Sequence, residues 1–234
     1  MCHTDFQRLS ELRDFSIGLH AAQAYFQSDD TKFSDPRKRR FFLDVERDLQ
    51  GLNAEAWAFL KNEALPRLKA KHPIRGWQQL FETLNEAKGY NYLARIGCTD
   101  VKFIPRSTTN KIQTPDLQGV LGFKKALCEV KTINVSELES NRRTEGGVGT
   151  TVLQLDDGFF NKLAHDIRAA SAQMLAFSDD AETHRTVFII VNFDDNLHEY
   201  GDEYQRQIDQ HVANVLSPDV QVVFDIKPPF YSAM

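Results

Sequence analysis

The segment over residues 186–193 is the feature that most constrains how this chain folds. It reads Thr-Val-Phe-Ile-Ile-Val-Asn-Phe, an almost unbroken run of β-branched and aromatic residues. A strand with one face in water alternates apolar and polar residues, whereas a near-continuous apolar run is expected for a central strand covered on both faces. The chain therefore needs a sheet with other elements packed on each side, which predicts an α/β fold.

The elements around this strand follow a simple order along the chain. Apolar residues at helical spacing predict a helix over residues 77–96, with Gly97 in the position just after its end. Three short strands follow and are predicted to form a meander. The complete order is helix, three strands, helix, strand, helix, strand, which predicts a mixed central sheet. The other strands are predicted at residues 100–105, 116–121, 126–133 and 220–226, and the later helices at 157–177 and 204–216.

Residues 1–76 are predicted to form an N-terminal helical region, followed by a second domain over residues 77–234. Asn53 is placed to cap the last helix of this region, and Pro66 predicts a kink or break inside it. The turn-forming residues 72–76 separate the two parts. The three helical segments cover residues 6–26, 36–50 and 53–71.

The composition is that of a soluble globular protein, with 41% hydrophobic and 26% charged residues. No apolar run is long enough to cross a bilayer, and the first residues lack the pattern of a signal peptide. Three scattered cysteines favour a reduced, cytoplasmic protein without a disulfide framework. The net charge of −5 does not by itself indicate nucleic-acid binding, although a local basic surface is compatible with it.

Several common catalytic motifs are missing from the sequence. The seven histidines show no close pairing and the cysteines show no Cys-x-x-Cys spacing, so a zinc site is not indicated. There is no Gly-x-Ser-x-Gly nucleophile elbow and no P-loop. The glycines at residues 146–149 lack the spacing of a dinucleotide-binding fingerprint. These classes of enzyme therefore find no support.

Asp116, Glu129 and Lys131 form the most informative group of residues. Asp116 opens the run Asp-Leu-Gln-Gly-Val-Leu, and the other two lie in the next run, Ala-Leu-Cys-Glu-Val-Lys-Thr-Ile. Because residues i and i+2 of a strand point to the same face, Glu129 and Lys131 are predicted to project together. If the two runs pair as a hairpin, Asp116 joins the same surface. Two carboxylates and an ammonium beside a core are unfavourable unless they are paired, hydrogen-bonded or bound to metal.

This pattern resembles the PD-(D/E)XK nuclease superfamily, which includes restriction endonucleases, Holliday-junction resolvases and many repair and defence nucleases. Pro115-Asp116 matches the first element of the motif, and Glu129-Val130-Lys131 matches the second. The resemblance extends from about residue 77 to the end of the chain. It implies a restriction-endonuclease-like α-βββ-α-β core and a metal-dependent endonuclease that acts on DNA.

The resemblance also implies a set of roles at the site. Asp116, Glu129 and the backbone carbonyl of Val130 would be ligands of Mg²⁺, for which Mn²⁺ is the expected substitute. Lys131 would orient or help to deprotonate the attacking water. For that work a lysine with a lowered pKa, from partial burial beside a metal, is expected.

The superfamily often adds an acid from the helix before the first strand. Glu86 and Glu82 are the candidates, and Glu86 is favoured as the fourth catalytic and metal-binding residue because it lies nearer the strands. It also belongs to a second Glu-x-Lys sequence, Glu86-Ala87-Lys88, which is predicted on a helix and does not match the motif. A polar residue is expected from the helix after the third strand. The candidates on that helix are Lys162, His165 and Gln173.

Contacts to nucleic acid are predicted at Arg142, Arg143 and Lys162. The two arginines lie in the polar, glycine-rich loop over residues 134–155, which would let the loop wrap around a substrate. A denser basic cluster at residues 36–40 is diluted by nearby acids, so a solvated helix start is the preferred interpretation there.

Two other interpretations stay open. The same sequence pattern is expected for a catalytically inactive structural or regulatory protein on this fold. It is also expected for the nuclease subunit of a larger complex. In the second case the N-terminal helices would bind a partner protein. A homodimer would provide two sites for cutting two strands. No membrane partner is expected.

Overall fold

The computed structural model describes residues 5–18, 25–26, 36–69, 71–73, 76–106, 113–134, 154–192, 200–215 and 220–227. Within these ranges the chain forms six α-helices, one 3₁₀ helix and five strands. The helices are α1 (Gln7–Gly18), α2 (Pro36–Gln50), α3 (Ala54–Ala64), the 3₁₀ helix Leu65–Lys69, α4 (Gln78–Arg95), α5 (Asp157–Phe177) and α6 (Gly201–Val215). The strands are β1 (Thr99–Phe103), β2 (Leu117–Leu121), β3 (Lys124–Ile133), β4 (His184–Asn192) and β5 (Gln221–Lys227).

The five strands form one mixed sheet in the order β1-β2-β3-β4-β5. Strands β1, β2 and β3 are antiparallel neighbours, which confirms the predicted meander. Strand β4 runs parallel to both β3 and β5. Every residue of β4 from Arg185 to Asn192 is buried, so the prediction of a central strand covered on both faces is confirmed. The α/β class is likewise confirmed.

Two hydrophobic layers cover the sheet. On one face, Leu80 and Leu84 of α4 belong to the same cluster as Cys128 of β3. On the other face, Leu163 and Ile167 of α5 belong to a cluster with Leu127 of β3. Successive strand residues point to opposite faces. Glu129 and Lys131 therefore continue the face that Leu127 begins, toward α5.

The N-terminal helices pack against α4. Leu49 of α2, Leu60 of α3 and Leu68 of the 3₁₀ helix share a hydrophobic cluster with Leu80 and Phe81 of α4. One continuous core thus crosses the sequence position at which a domain boundary was predicted. The division at residue 76 stays a prediction.

The local helix predictions are confirmed in part. Helix α2 has the predicted bounds, and the Asn53 side chain caps α3 by accepting a hydrogen bond from the Ala56 N–H at 2.8 Å. Helix α3 ends at Ala64 and gives way to the 3₁₀ helix that contains Pro66, as expected where proline removes a helical N–H. The predicted continuation of the first helix to residue 26 is wrong, because residues 25 and 26 lie in a turn. Gly18, a poor helix former, is the last residue of α1.

Among the described helices, none combines the length and the apolar composition needed to cross a membrane.

Gly89 lets α4 lie close against the hairpin that carries the site. A Cβ atom at this position would lie 2.5 Å from Val130 Cγ2 and 2.9 Å from Leu117 Cδ1. We expect Gly89→Ala to lower the unfolding free energy by about 1–2 kcal/mol, because overpacking outweighs the gain in helix propensity. Chemical denaturation measures this difference. Gly201→Ala is the matched control, since its Cβ would enter open space. Equal stabilities of the two variants would contradict the close packing of α4.

Candidate active site

The register of the β2–β3 hairpin brings Asp116 beside Glu129. Leu117 pairs with Cys128, so the residues just before and after them are neighbours. The Asp116 N–H donates to Glu129 Oε2 at 3.2 Å, and the Val130 N–H donates to Asp116 Oδ2 at 2.8 Å. These two bonds fix both carboxylates relative to the backbone. The predicted convergence of Asp116 with the second strand is therefore present.

Lys131 lies on the same face as Glu129, as predicted. Its Nζ donates to Glu129 Oε1 at 2.7 Å. The lysine side chain is 28% exposed, whereas that of Glu129 is 4% exposed. The ammonium therefore lies between a buried carboxylate and solvent.

Gln173 of α5 completes the hydrogen bonding of Glu129. Its Nε2 donates to Glu129 Oε2 at 2.8 Å and to the Thr114 carbonyl at 2.7 Å. One amide thus joins α5, β3 and the segment that leads to Asp116. Both oxygens of Glu129 accept hydrogen bonds, so its orientation is determined by three separate parts of the chain.

The two other candidates on α5 behave differently. Lys162 lines the same cleft and forms an ion pair with Asp166 one turn later. His165 is exposed and is not part of the cleft lining. Lys162, Asp166 and Gln173 are spaced i, i+4 and i+11, which places them on one helix face. His165 is at i+3 from Lys162, so spacing alone does not exclude it, and the packing of α5 decides which side chains line the cleft.

Both predicted acids of α4 line the cleft, in different surroundings. Glu86 is buried and accepts from Arg106 Nη2 at 3.0 Å. Glu82 accepts from Asn134 Nδ2 at 2.7 Å, at the end of β3. Burial and then the Asp116 carboxylate raise the pKa of Glu86, and the choice of Glu86 over Glu82 as the fourth site residue stays a prediction.

The cleft itself has a volume of about 720 Å³ and a polar lining. Two residues in its wall, Arg67 of the 3₁₀ helix and Arg106 after β1, were not predicted from the sequence. Among the described residues, five acids face four cationic side chains in the lining. The acids are Glu82, Glu86, Asp116, Glu129 and Asp166, and the cations are Arg67, Arg106, Lys131 and Lys162.

Burial raises the pKa of three acids in this cleft. Burial raises the pKa of Glu129 to about 7; the Asp116 carboxylate adds to this rise and Lys131 opposes it. Burial also raises the pKa of Asp116, against the hydrogen bond from Val130. The pKa of Glu86 lies well above its ordinary value because of burial and then of Asp116. A cation placed among these carboxylates would relieve all three shifts.

Without a metal ion the pKa of Lys131 is raised, and the lowered pKa expected for this lysine beside a metal stays a prediction. Burial by itself lowers the pKa of Lys131, but the carboxylates of Glu129, Asp116 and Asp166 raise it by more. The side chain is therefore an ammonium at neutral pH. It can donate hydrogen bonds and supply positive charge, but it cannot accept a proton.

The donors for a metal ion are limited. Within the described ranges, no group of three or more His, Cys, Asp or Glu side chains is arranged to hold one. The carboxylates of Asp116 and Glu129 lie next to each other at β3. Such a pair can be sufficient, because Mg²⁺ is often bound by only one or two carboxylates together with water and substrate oxygens. In the Asp116 carboxylate, Oδ2 is the oxygen that accepts the hydrogen bond from the Val130 N–H.

Arg142 and Arg143 lie outside the described residues, as does the glycine-rich segment that follows them. Their contact with nucleic acid stays a prediction.

No protein-family model matches the chain, and comparison with curated proteins and with solved structures finds no significant match. The residues and geometry of the cleft are therefore the guide to its function.

Gln173 offers a test of how the cleft is organised. We expect Gln173→Ala to lower the rate of any reaction at Glu129 by about 10–100-fold, because a residue that orients a functional carboxylate typically has this effect. His165→Ala is the matched control on the same helix and should leave the rate unchanged, since this side chain is outside the cleft. Steady-state kinetics on both variants gives the comparison. Equal rates in the two variants would mean that the Gln173–Glu129 contact has no functional role.

Proposed function

We propose that this protein is a metal-dependent endonuclease that hydrolyses phosphodiester bonds in DNA through Asp116, Glu129 and Lys131. The observation that carries the proposal is the contact of these three residues in the lining of one polar cleft. The element order of α4 through β5 and the mixed sheet support a restriction-endonuclease-like core. Two buried carboxylates with a neighbouring ammonium are unfavourable for folding alone, which indicates that they are retained for chemistry.

The donor set fits a hard dication. Asp116 and Glu129, with the Val130 carbonyl, would hold Mg²⁺, or Mn²⁺ in its place. All three offer oxygen, and the pKa of both acids is raised chiefly by burial, so a bound cation would stabilise their charged forms. When bound, such an ion neutralises charge on a phosphodiester and lowers the pKa of a coordinated water.

The remaining roles at the site belong to residues of the chain itself. The Lys131 ammonium donates to the phosphate or to the attacking water and offsets the charge that develops on the phosphate. Gln173 keeps the Glu129 carboxylate in place, and the Val130 N–H does the same for Asp116. Lys162, half-exposed at the edge of the cleft, is available to a backbone phosphate.

The proposal is tested by incubating the purified protein with single-stranded DNA, duplex DNA, RNA and covalently closed circular DNA. Each substrate is tested with Mg²⁺, with Mn²⁺ and with a chelator. Cutting of closed circles that depends on metal is the expected result, because only an endonuclease cuts a molecule without ends. Glu129→Ala and Lys131→Ala should lose it, and Lys102→Ala, on the exposed side of β1, should not. The proposal fails if no substrate is cut, or if all variants cut alike.

A catalytically inactive protein on the same fold is the second candidate. The observation in its favour is that no preassembled group of three metal-binding side chains exists among the described residues. Such a protein would show no carboxylate-dependent binding of Mn²⁺. A nuclease subunit that acts only in a complex would bind Mn²⁺ but cut no free substrate.

A further inference from the structure

Two arginines in the cleft wall take no part in the function proposed above. Arg67 lies on the 3₁₀ helix Leu65–Lys69 of the N-terminal region, and Arg106 follows β1. Both line the cleft that contains Asp116 and Glu129. One precedes α4 in the sequence and the other follows β1, so their shared position results from packing of the N-terminal helices on α4.

Among the described residues, Arg106 forms one ion pair. Its Nη2 forms an ion pair with Glu86 at 3.0 Å, and Glu86 is buried while the arginine side chain is 55% exposed. A guanidinium carries five N–H donors in a planar fork. The buried glutamate thus orients the arginine, and the exposed part of the fork has donors that this ion pair does not use.

Arg67 has a donor without a partner. Its Nε atom is buried and makes no hydrogen bond with any residue in the described ranges. A buried donor without a partner is unfavourable for the folded state. The neighbouring Leu68 is fully buried, so the backbone holds Arg67 at the cleft. Arg67 also lines the cleft, so its guanidinium supplies positive charge to an anionic ligand bound there.

We infer that Arg67 and Arg106 form a phosphate-binding pair that holds the phosphodiester next to the one cleaved at Asp116, Glu129 and Lys131. The inference rests on the proposed nuclease function and deepens it by assigning the substrate contact. Arginine suits this role because its fork matches phosphate oxygens with two parallel hydrogen bonds. Glu86 then acts as a positioning residue for Arg106 rather than as a metal ligand.

The experiment measures binding of a fluorescein-labelled DNA oligonucleotide by anisotropy, in chelator so that nothing is cut, over a series of salt concentrations. Arg67→Gln and Arg106→Gln are each expected to weaken binding about tenfold and to reduce the salt slope by about 0.7–0.9, the change for one phosphate contact. In cleavage assays KM should rise while kcat changes little. Arg168→Gln, exposed on α5 and outside the cleft, is the matched control.

Further variants separate positioning from folding. Arg67→Lys keeps the charge without the planar fork and should recover only part of the affinity, while its thermal stability matches that of the wild type. Glu86→Gln should weaken DNA binding as much as Arg106→Gln does. The double variant with both substitutions should bind DNA no more weakly than either single variant. Mn²⁺ affinity should stay unchanged in Glu86→Gln. A loss of Mn²⁺ affinity with normal DNA binding would instead make Glu86 a metal ligand and overturn its positioning role.

The outcomes for the pair and for the nuclease function are distinct. If the wild type cuts DNA but both arginine variants bind as Arg168→Gln does, the phosphate-binding pair is overturned and the nuclease proposal stands. If the wild type neither binds nor cuts any nucleic acid, both proposals fail.

Discussion

Glu129→Gln is expected to abolish cleavage and, at the same time, to stabilise the protein without metal at alkaline pH. The loss of activity should reach at least about 10³-fold, since removing a carboxylate that holds the metal removes several kcal/mol of transition-state stabilisation. The gain in stability follows from the pKa of about 7 at this buried acid, compared with an ordinary value of 4.5. Opposite effects on activity and stability are characteristic of a site shaped for function rather than for folding.

The sign of the pH dependence follows from proton linkage. A raised pKa in the folded state means that the folded protein binds more protons than the unfolded chain between about pH 4.5 and 7. The stabilising contribution of protonated Glu129 is complete at low pH and is lost as pH rises through 7. Asp116 and Glu86 shift in the same direction. Wild-type protein in chelator should therefore have a lower Tm at pH 8 than at pH 6.

Differential scanning fluorimetry of both proteins tests this directly. At pH 8 the Tm of Glu129→Gln should exceed that of the wild type by about 2–8 °C, which corresponds to about 1–2 kcal/mol for a chain of this size. Glu55→Gln, an exposed glutamate in the first turn of α3, is the control and should change Tm little. A lower Tm for Glu129→Gln at pH 8 would show that the carboxylate stabilises the fold, against the present account.

Lys131→Met is expected to lower kcat by about 10²–10³-fold while leaving Mn²⁺ affinity within a fewfold of the wild type. The ammonium supplies charge to the phosphate rather than a ligand to the metal, and loss of one such donor has an effect of this size. Its pKa is raised by Glu129, Asp116 and Asp166 against the effect of burial. If the metal-bound protein keeps this ammonium, its rate shows no inflection from Lys131 below about pH 9.

Single-turnover rates between pH 6 and 9.5, combined with a metal titration, test both parts. Lys102→Met removes an exposed lysine of β1 outside the cleft and should behave as the wild type. If Lys131→Met keeps full activity, the ammonium has no catalytic role. If its activity falls together with Mn²⁺ affinity, its role is to organise the metal site.

Much of the fold was predictable because its signals are local. The apolar run at β4 requires cover on both faces, and a strand's two-residue period fixes Glu129 and Lys131 on one side. Asn53 specifies a helix start through its own side chain. Each of these properties depends on residues close together in the sequence.

The position of Asp116 beside Glu129 was predictable for a similar reason. A short turn with Gly122 at positive φ joins β2 to β3, and once the two strands pair, their register brings Asp116 opposite Glu129. The core of the candidate site was therefore accessible from pattern alone.

The rest of the cleft depends on packing between distant segments. Arg67 reaches the cleft only because the 3₁₀ helix packs on α4, and no local pattern marks it. The pKa of Lys131 depends on carboxylates from three elements, so its upward shift could not be read from partial burial alone. Whether Gln173 or His165 faces the cleft depends on how α5 is rotated about its axis, and that rotation is set by packing against the sheet.

Titration with Mn²⁺, followed by calorimetry or by electron paramagnetic resonance of the free ion, shows whether Asp116 and Glu129 form a metal centre. We expect saturable binding at pH 7.5 to the wild type and to Lys131→Met, and loss of that binding in Asp116→Asn and Glu129→Gln. Glu82→Gln, in the same cleft but bonded to Asn134, should bind as the wild type. Absence of saturable binding to the wild type, or equal binding by all variants, would contradict a metal centre at Asp116 and Glu129.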